Sequence, residues 1–185
     1  MKRGFDSYSY TRQLPETNWV QLLRNLGYYL EKYDSEATLP NLLVDCRLYG
    51  VDPQWHYERS IKNIHNGKIV IHRGALTDYA TIPRKFWSVI APHEIRRPAI
   101  VHDILYDTIG QLRGKISNGR FRYYRKYADK LFRESMEYLE PQIPLWKRIS
   151  AYRAVRAFGW IAIRMENRTK PNEKDISHLP PLENS

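Results

Sequence analysis

Apolar positions in the first third of the chain fall at helical spacing. Trp19, Leu22, Leu23, Leu26 and Leu30 share one stripe, with Thr17 or Asn18 ahead of them as a cap, so the pattern predicts a helix to about Tyr33. Gly27 weakens it, since glycine in a helix costs about 1 kcal/mol relative to alanine. The apolar runs 42–50 (LLVDCRLYG), 54–61 (QWHYERSI) and 68–74 (KIVIHRG) read as strands, and Asn66-Gly67 supplies a turn before the third. From Pro83 the periodicity becomes helical. Helices are predicted over 83–90, about 94–109 with Pro98 kinking it or marking its start, about 121–139, and about 144–167.

This order predicts an α+β protein in which a small antiparallel sheet is followed by a helical half with a central antiparallel helix pair. Residues 17–168 are expected to form a single domain. Residues 1–16 read as an extended arm and 169–185 as a polar, proline-rich tail, both expected to order only against neighbouring protein chains.

Composition narrows the function classes. The lone cysteine, Cys46, excludes an internal disulfide and a cysteine-built zinc site. No apolar run reaches the roughly 20 residues that span a bilayer, and the basic N-terminus lacks the apolar core of a secretory signal. The formal net charge of +10 favours an anionic partner, a lipid surface or an acidic protein. The basic residues are spread along the chain with no compact run, which places nucleic acid behind those two.

The chemistry concentrates in three stretches. In 74-GALTDYATIPR-84, Asp78 and Thr81 sit on a strand-to-helix loop, where they either cap the next helix or position a metal or substrate. In 98-PAIVHDILYDTIG-110, His102 and Tyr106 share one helical face, and Asp103 and Asp107 share the next. In 128-ADKLFRESMEYL-139, Asp129 lies on the core-facing stripe with Phe132 and Met136, so its carboxylate requires a buried partner. The ring of His102 and the hydroxyl of Tyr106 are the expected donors. Two readings stay open: a general base, His102, oriented by Asp129 beside Asp103, or a buried polar network tying two helices together. In the last helix the arginines, Arg156 among them, read as a solvated basic face, and Gly159 as a point of close helix approach.

Residues Gly74, Thr77, Asp78, Ala80, Thr81, Pro83 and Arg84, then His102, Asp103 and Tyr106, then Asp129 and Phe132, with Gly159 closing the series, form an ordered set of motifs. Over about residues 54–160 the set resembles a family of small uncharacterised proteins of bacteriophages, prophages and bacteria, with Thr81 where the family more often has serine. That resemblance implies a phage-type protein in the host cytoplasm or the virion, and assigns it no activity. The His-Asp-x-x-Tyr helix with a later aspartate is also similar to the catalytic helix pair of calcium-dependent secreted phospholipases. Carried over, the likeness makes His102 the general base, Asp129 its orienting carboxylate and Asp103 a ligand to calcium or another divalent cation. Tyr106 would join the catalytic group, Asp78 the metal site, and Thr81 and Arg84 the substrate site. The chain departs from those enzymes in lacking their disulfides and a glycine-rich calcium loop.

Overall fold

Alternation, and not helical period, decides the N-terminal third. The computed structural model of the protein describes residues 4–6, 8–14, 19–30, 37–59, 67–77 and 94–164, with 160–164 described by their backbone alone. The segment predicted as a helix to Tyr33 instead contains two strands, β3 (Val20–Leu22) and β4 (Leu26–Tyr29). Val20 and Leu22, then Leu26, Tyr28 and Leu30, are buried at a period of two, while Arg24 and Asn25 between them are exposed. A two-residue period places the buried side chains of each strand on one face of its own sheet, β3 in one sheet and β4 in the other.

The second correction runs the other way. The predicted strand 42–50 lies mostly within a helix, α1 (Thr38–Leu48), whose buried Leu39, Leu42 and Cys46 recur at helical spacing. Pro40 in its first turn sacrifices no intrahelical hydrogen bond, as is typical of helix starts.

The N-terminal segment, expected as an arm awaiting a partner, also belongs to the fold. It is extended, but β1 (Gly4–Phe5) pairs with β4, and β2 (Thr11–Gln13) pairs with β3. Phe5 packs against the core and Leu14 is buried. Within this segment Gly4–Phe5 and Thr11–Gln13 find backbone partners in the same chain.

The strands β5 (Trp55–Glu58) and β6 (Lys68–Ile71) form as predicted, followed by a short β7 (Leu76–Thr77). They build two antiparallel sheets, one in the order β1-β4-β6-β5 and one in the order β2-β3-β7. Register aligns Leu26, Ile71 and Trp55 across one sheet, and Tyr28, Ile69 and Tyr57 in the next row. The helical half comprises α2 (Arg96–Gln111), α3 (Asn118–Ser135) and α4 (Leu145–Arg164). Pro98 occupies the first turn of α2, so it marks the start of the helix. α3 begins earlier than the predicted 121 because Ser117 caps it, its hydroxyl accepting from the Arg120 amide at 3.3 Å. The predicted helix 83–90 and the C-terminal tail lie outside the described residues.

One apolar core joins both sheets to α1, α2 and α3 through Leu22, Tyr28, Leu42, Trp55, Ile104 and Leu131. A second lies among the helices, with Phe132, Met136 and Val155. Each such side chain contributes roughly 1.5–3 kcal/mol when fully buried. Trp55 adds direction, because its indole N–H donates to Thr108 Oγ1 at 3.0 Å and fixes the sheet against α2. The α+β organisation expected from the sequence is therefore present, with the α2–α3 pair at its centre.

A buried carboxylate shared by three helices

α2 presents His102, Asp103 and Tyr106, while α3 presents Asp129 from the facing side. His102 is 1% exposed and Asp129 is 0% exposed, so neither charge nor ring is exchanged freely with solvent. His102 Nε2 lies 2.9 Å from Asp129 Oδ1, and the Tyr106 hydroxyl donates to the same oxygen at 2.5 Å. The partnership expected from the spacing of Asp129 is present. The other carboxylate oxygen, Oδ2, accepts from Arg156 on α4 at 2.7 Å. One carboxylate thus joins three helices.

The electrostatics define the proton positions. Burial pushes the Asp129 carboxyl upward, but hydrogen bonds from His102, Tyr106 and Arg156 outweigh it and hold the group below the ordinary carboxylate range. Asp129 is therefore an ionised acceptor, so the hydrogen of the His102–Asp129 contact sits on His102 Nε2. Burial, reinforced by the neighbouring Asp129 charge, keeps the Tyr106 phenol protonated far above its ordinary value. The Arg156 guanidinium is held charged first by its hydrogen bond to Asp129.

Packing holds the imidazole in place. Tyr106 and Phe132 flank the His102 ring with centroids 4.2 and 5.1 Å away. Gly159 permits the arrangement, since a Cβ there would lie 2.8 Å from both Cε1 and the hydroxyl oxygen of Tyr106. Close helix approach at Gly159 is what the sequence predicts.

His102 Nδ1 points away from this hub. It is buried, has no hydrogen-bond partner among the described residues, and lies 4.0 Å from Asp103 Oδ1. Asp103 is itself oriented by Thr77 of β7, whose hydroxyl donates to Oδ2 at 2.8 Å. The structure therefore brings together four of the predicted site residues, His102, Asp103, Tyr106 and Asp129. Asp78, Thr81 and Arg84 lie outside the described residues. Among the described residues no group of three or more His, Cys, Asp or Glu side chains is arranged to hold a metal ion.

Two participants escape sequence reasoning. Arg156 sits on a helix whose other arginines look solvated, and only its i, i+3 relation to Gly159 places it on the side that meets Tyr106 and Asp129. Asp45 is the other. It is buried on α1, accepts from the Tyr124 hydroxyl at 2.7 Å, and pairs with Arg120 at 2.9 Å. Its signal is the helical period of Leu39, Leu42 and Cys46, which the strand reading hides. This second carboxylate fastens α1 to α3 as the first fastens α2 to α3 and α4.

A family model described as protein of unknown function (DUF1353) matches residues 49–155. That stretch contains α2, α3, β5 to β7 and every polar contact of Asp129 except Arg156. No curated protein and no solved structure matches the chain. Among the described residues no helix is long and apolar enough to cross a membrane.

Proposed function

The chain belongs to this family of proteins of unknown function (DUF1353), and from the chemistry of the site we propose a phospholipase-like hydrolase with His102 as general base. The observation that carries the reading is the buried Nδ1 of His102, which has no hydrogen-bond partner among the described residues and lies near Asp103 while Asp129 holds Nε2–H. In a purely structural histidine both ring nitrogens are ordinarily satisfied, because an unpaired buried acceptor costs about 1–3 kcal/mol. Nδ1 lies 4.0 Å from Asp103 Oδ1. With His102 neutral, the lone pair of Nδ1 is the acceptor that takes a proton from a water held there.

In the hydrolytic step Nδ1 takes a proton from a water molecule as the oxygen of that water attacks an ester carbonyl, and the imidazolium then gives that proton to the alcohol oxygen as the ester C–O bond breaks. Asp129 fixes the tautomer and stabilises the imidazolium that results. Tyr106 and Arg156 hold Asp129 in place, and Phe132 holds the ring. Asp103 is the one carboxylate beside the base that could ligate a hard cation, with Asp78 as the further candidate ligand, and the remaining oxygens of its shell would have to come from water and substrate. A bound calcium ion, or another divalent cation, would supply Lewis-acid stabilisation of the developing oxyanion. Thr81 and Arg84 are assigned to the substrate. The net charge of +10 favours an anionic lipid surface.

The test is hydrolysis of anionic phospholipid vesicles with and without calcium. His102→Gln is expected to lower the rate by about 10²-fold or more, the usual scale of general-base catalysis. Equal inertness of both proteins across metals and lipids refutes the hydrolase.

A specific observation also favours a second reading. His102 and Asp129 are almost wholly buried, and a carboxylate on one helix satisfied by three donors from two others is what a structural network requires. On that reading the protein is a non-enzymatic phage virion or host-interaction component. Its basic surface then meets an acidic protein neighbour.

A further inference from the structure

A separate histidine pair lies on the large sheet, away from the Asp129 hub. His56 is on β5, and His72 is the first residue after β6. Their rings face each other, with His56 Nδ1 2.9 Å from His72 Nε2. His56 Nε2 is 3.2 Å from Glu58 Oε1, two residues along the same strand and on the same face. Both His56 and Glu58 are nearly half exposed, so ions in solution reach them.

We propose that His56 and His72 form a two-imidazole binding site for a divalent transition-metal ion of the zinc, copper or nickel class. Glu58 accepts a hydrogen bond from His56 Nε2–H and so leaves the lone pair on Nδ1, facing His72. A carboxylate behind a metal-binding histidine is the standard means of fixing its tautomer and raising its basicity. Without metal, His72 Nε2–H donates to that lone pair. With metal, His72 carries its proton on Nδ1 instead, and both lone pairs converge with no net proton released.

The distances agree with this. Metal–nitrogen bonds of about 2.0–2.1 Å in a tetrahedral site place two ring nitrogens about 3.3 Å apart. The observed 2.9 Å needs to open by only a few tenths of an ångström. The ligands are nitrogen, so the site selects borderline metals over calcium or magnesium, which require several oxygens. Water completes the shell, because only two protein ligands converge.

The test uses tag-free full-length protein in an Asp103→Asn background, so that metal at the other site does not contribute. Zinc and nickel are titrated calorimetrically, and copper(II) is followed by paramagnetic broadening of histidine ring signals. Saturable binding below millimolar metal is expected, with broadening confined to His56 and His72. His56→Gln and His72→Gln should each abolish saturation, while Glu58→Gln should weaken affinity about 10–100-fold, the usual effect of removing such a partner. Calcium should not compete. Binding unchanged in both histidine variants, or broadening elsewhere, overturns the proposal. The broadening pattern of the unmutated pair tests it even if a variant folds poorly.

Discussion

Replacing Asp129 by alanine removes one acceptor from three donors, and the structure sets what each loss costs. The Nε2–H of His102 and the hydroxyl of Tyr106 are buried and lose their acceptor, at about 1–3 kcal/mol each. Arg156 has a side chain that is 39% exposed, so its guanidinium regains water and adds less than about 1 kcal/mol. The expected loss is about 3–5 kcal/mol, beyond the 0.5–3 kcal/mol of ordinary substitutions. For a chain of this size each kcal/mol moves the melting temperature by about 2–4 °C, so a fall of roughly 10 °C is expected. Arg156→Gln, which leaves both buried donors satisfied, should cost under about 1 kcal/mol. Paired thermal and urea melts distinguish the two variants, provided that the urea slope m stays constant. An Asp129→Ala protein within about 1 kcal/mol of wild type at unchanged m would refute the claim that this carboxylate ties the helices together.

Three further outcomes follow from the same contacts. Gly159→Ala gains up to about 1 kcal/mol of helix propensity but forces a methyl against the Tyr106 ring, an overpacking cost of about 1–3 kcal/mol; a net loss is expected, and a gain in a thermal melt would show that α4 does not pack as described. Asp129 is held below the ordinary carboxylate range, so its contribution is fully present above about pH 4 and is lost as pH falls through its lower folded value; acid melts should show this slope in wild type, and a wild-type profile matching that of Asp129→Asn would count against it. Burial pushes the Cys46 thiol up to about 11, leaving little thiolate at neutral pH; a thiol reagent should label the protein only in denaturant, and rapid labelling of the native chain would contradict the buried α1.

The helical half was legible because its signals are long and redundant. Period, proline position and stop signals agree over α2, α3 and α4, and the carboxylate on the Phe132 stripe had to find a partner. The N-terminal third misled for opposite reasons. Strands of three and four residues, Val20–Leu22 and Leu26–Tyr29, joined by a tight polar turn, place leucines at 22, 26 and 30, which is also helical spacing. The buried Tyr28 between Leu26 and Leu30 separates the two patterns, since a helix would turn it away from both. In α1 the β-favouring run Leu42, Leu43, Val44 outweighed Pro40 and the Leu39–Leu42–Cys46 period. Arg156 was illegible for a different reason. An arginine with an exposed stem looks solvated until the fold brings a buried carboxylate to its tip.

The sheet order makes the unit of sequence kinship differ from the unit of cooperative folding. β6 has β5 on one side, within the family-matched stretch 49–155, but takes its other neighbour, β4, from outside that stretch. β7 has β3 as its partner, also from outside. A fragment cut at residue 49 would leave β6 with a bare edge of backbone donors and acceptors beside Ile69 and Ile71, a template for intermolecular pairing. The N-terminal strands β3 and β4 thus act as the closing pieces of the two sheets, and the stretch that carries His102 and Asp129 depends on them to cover its edges.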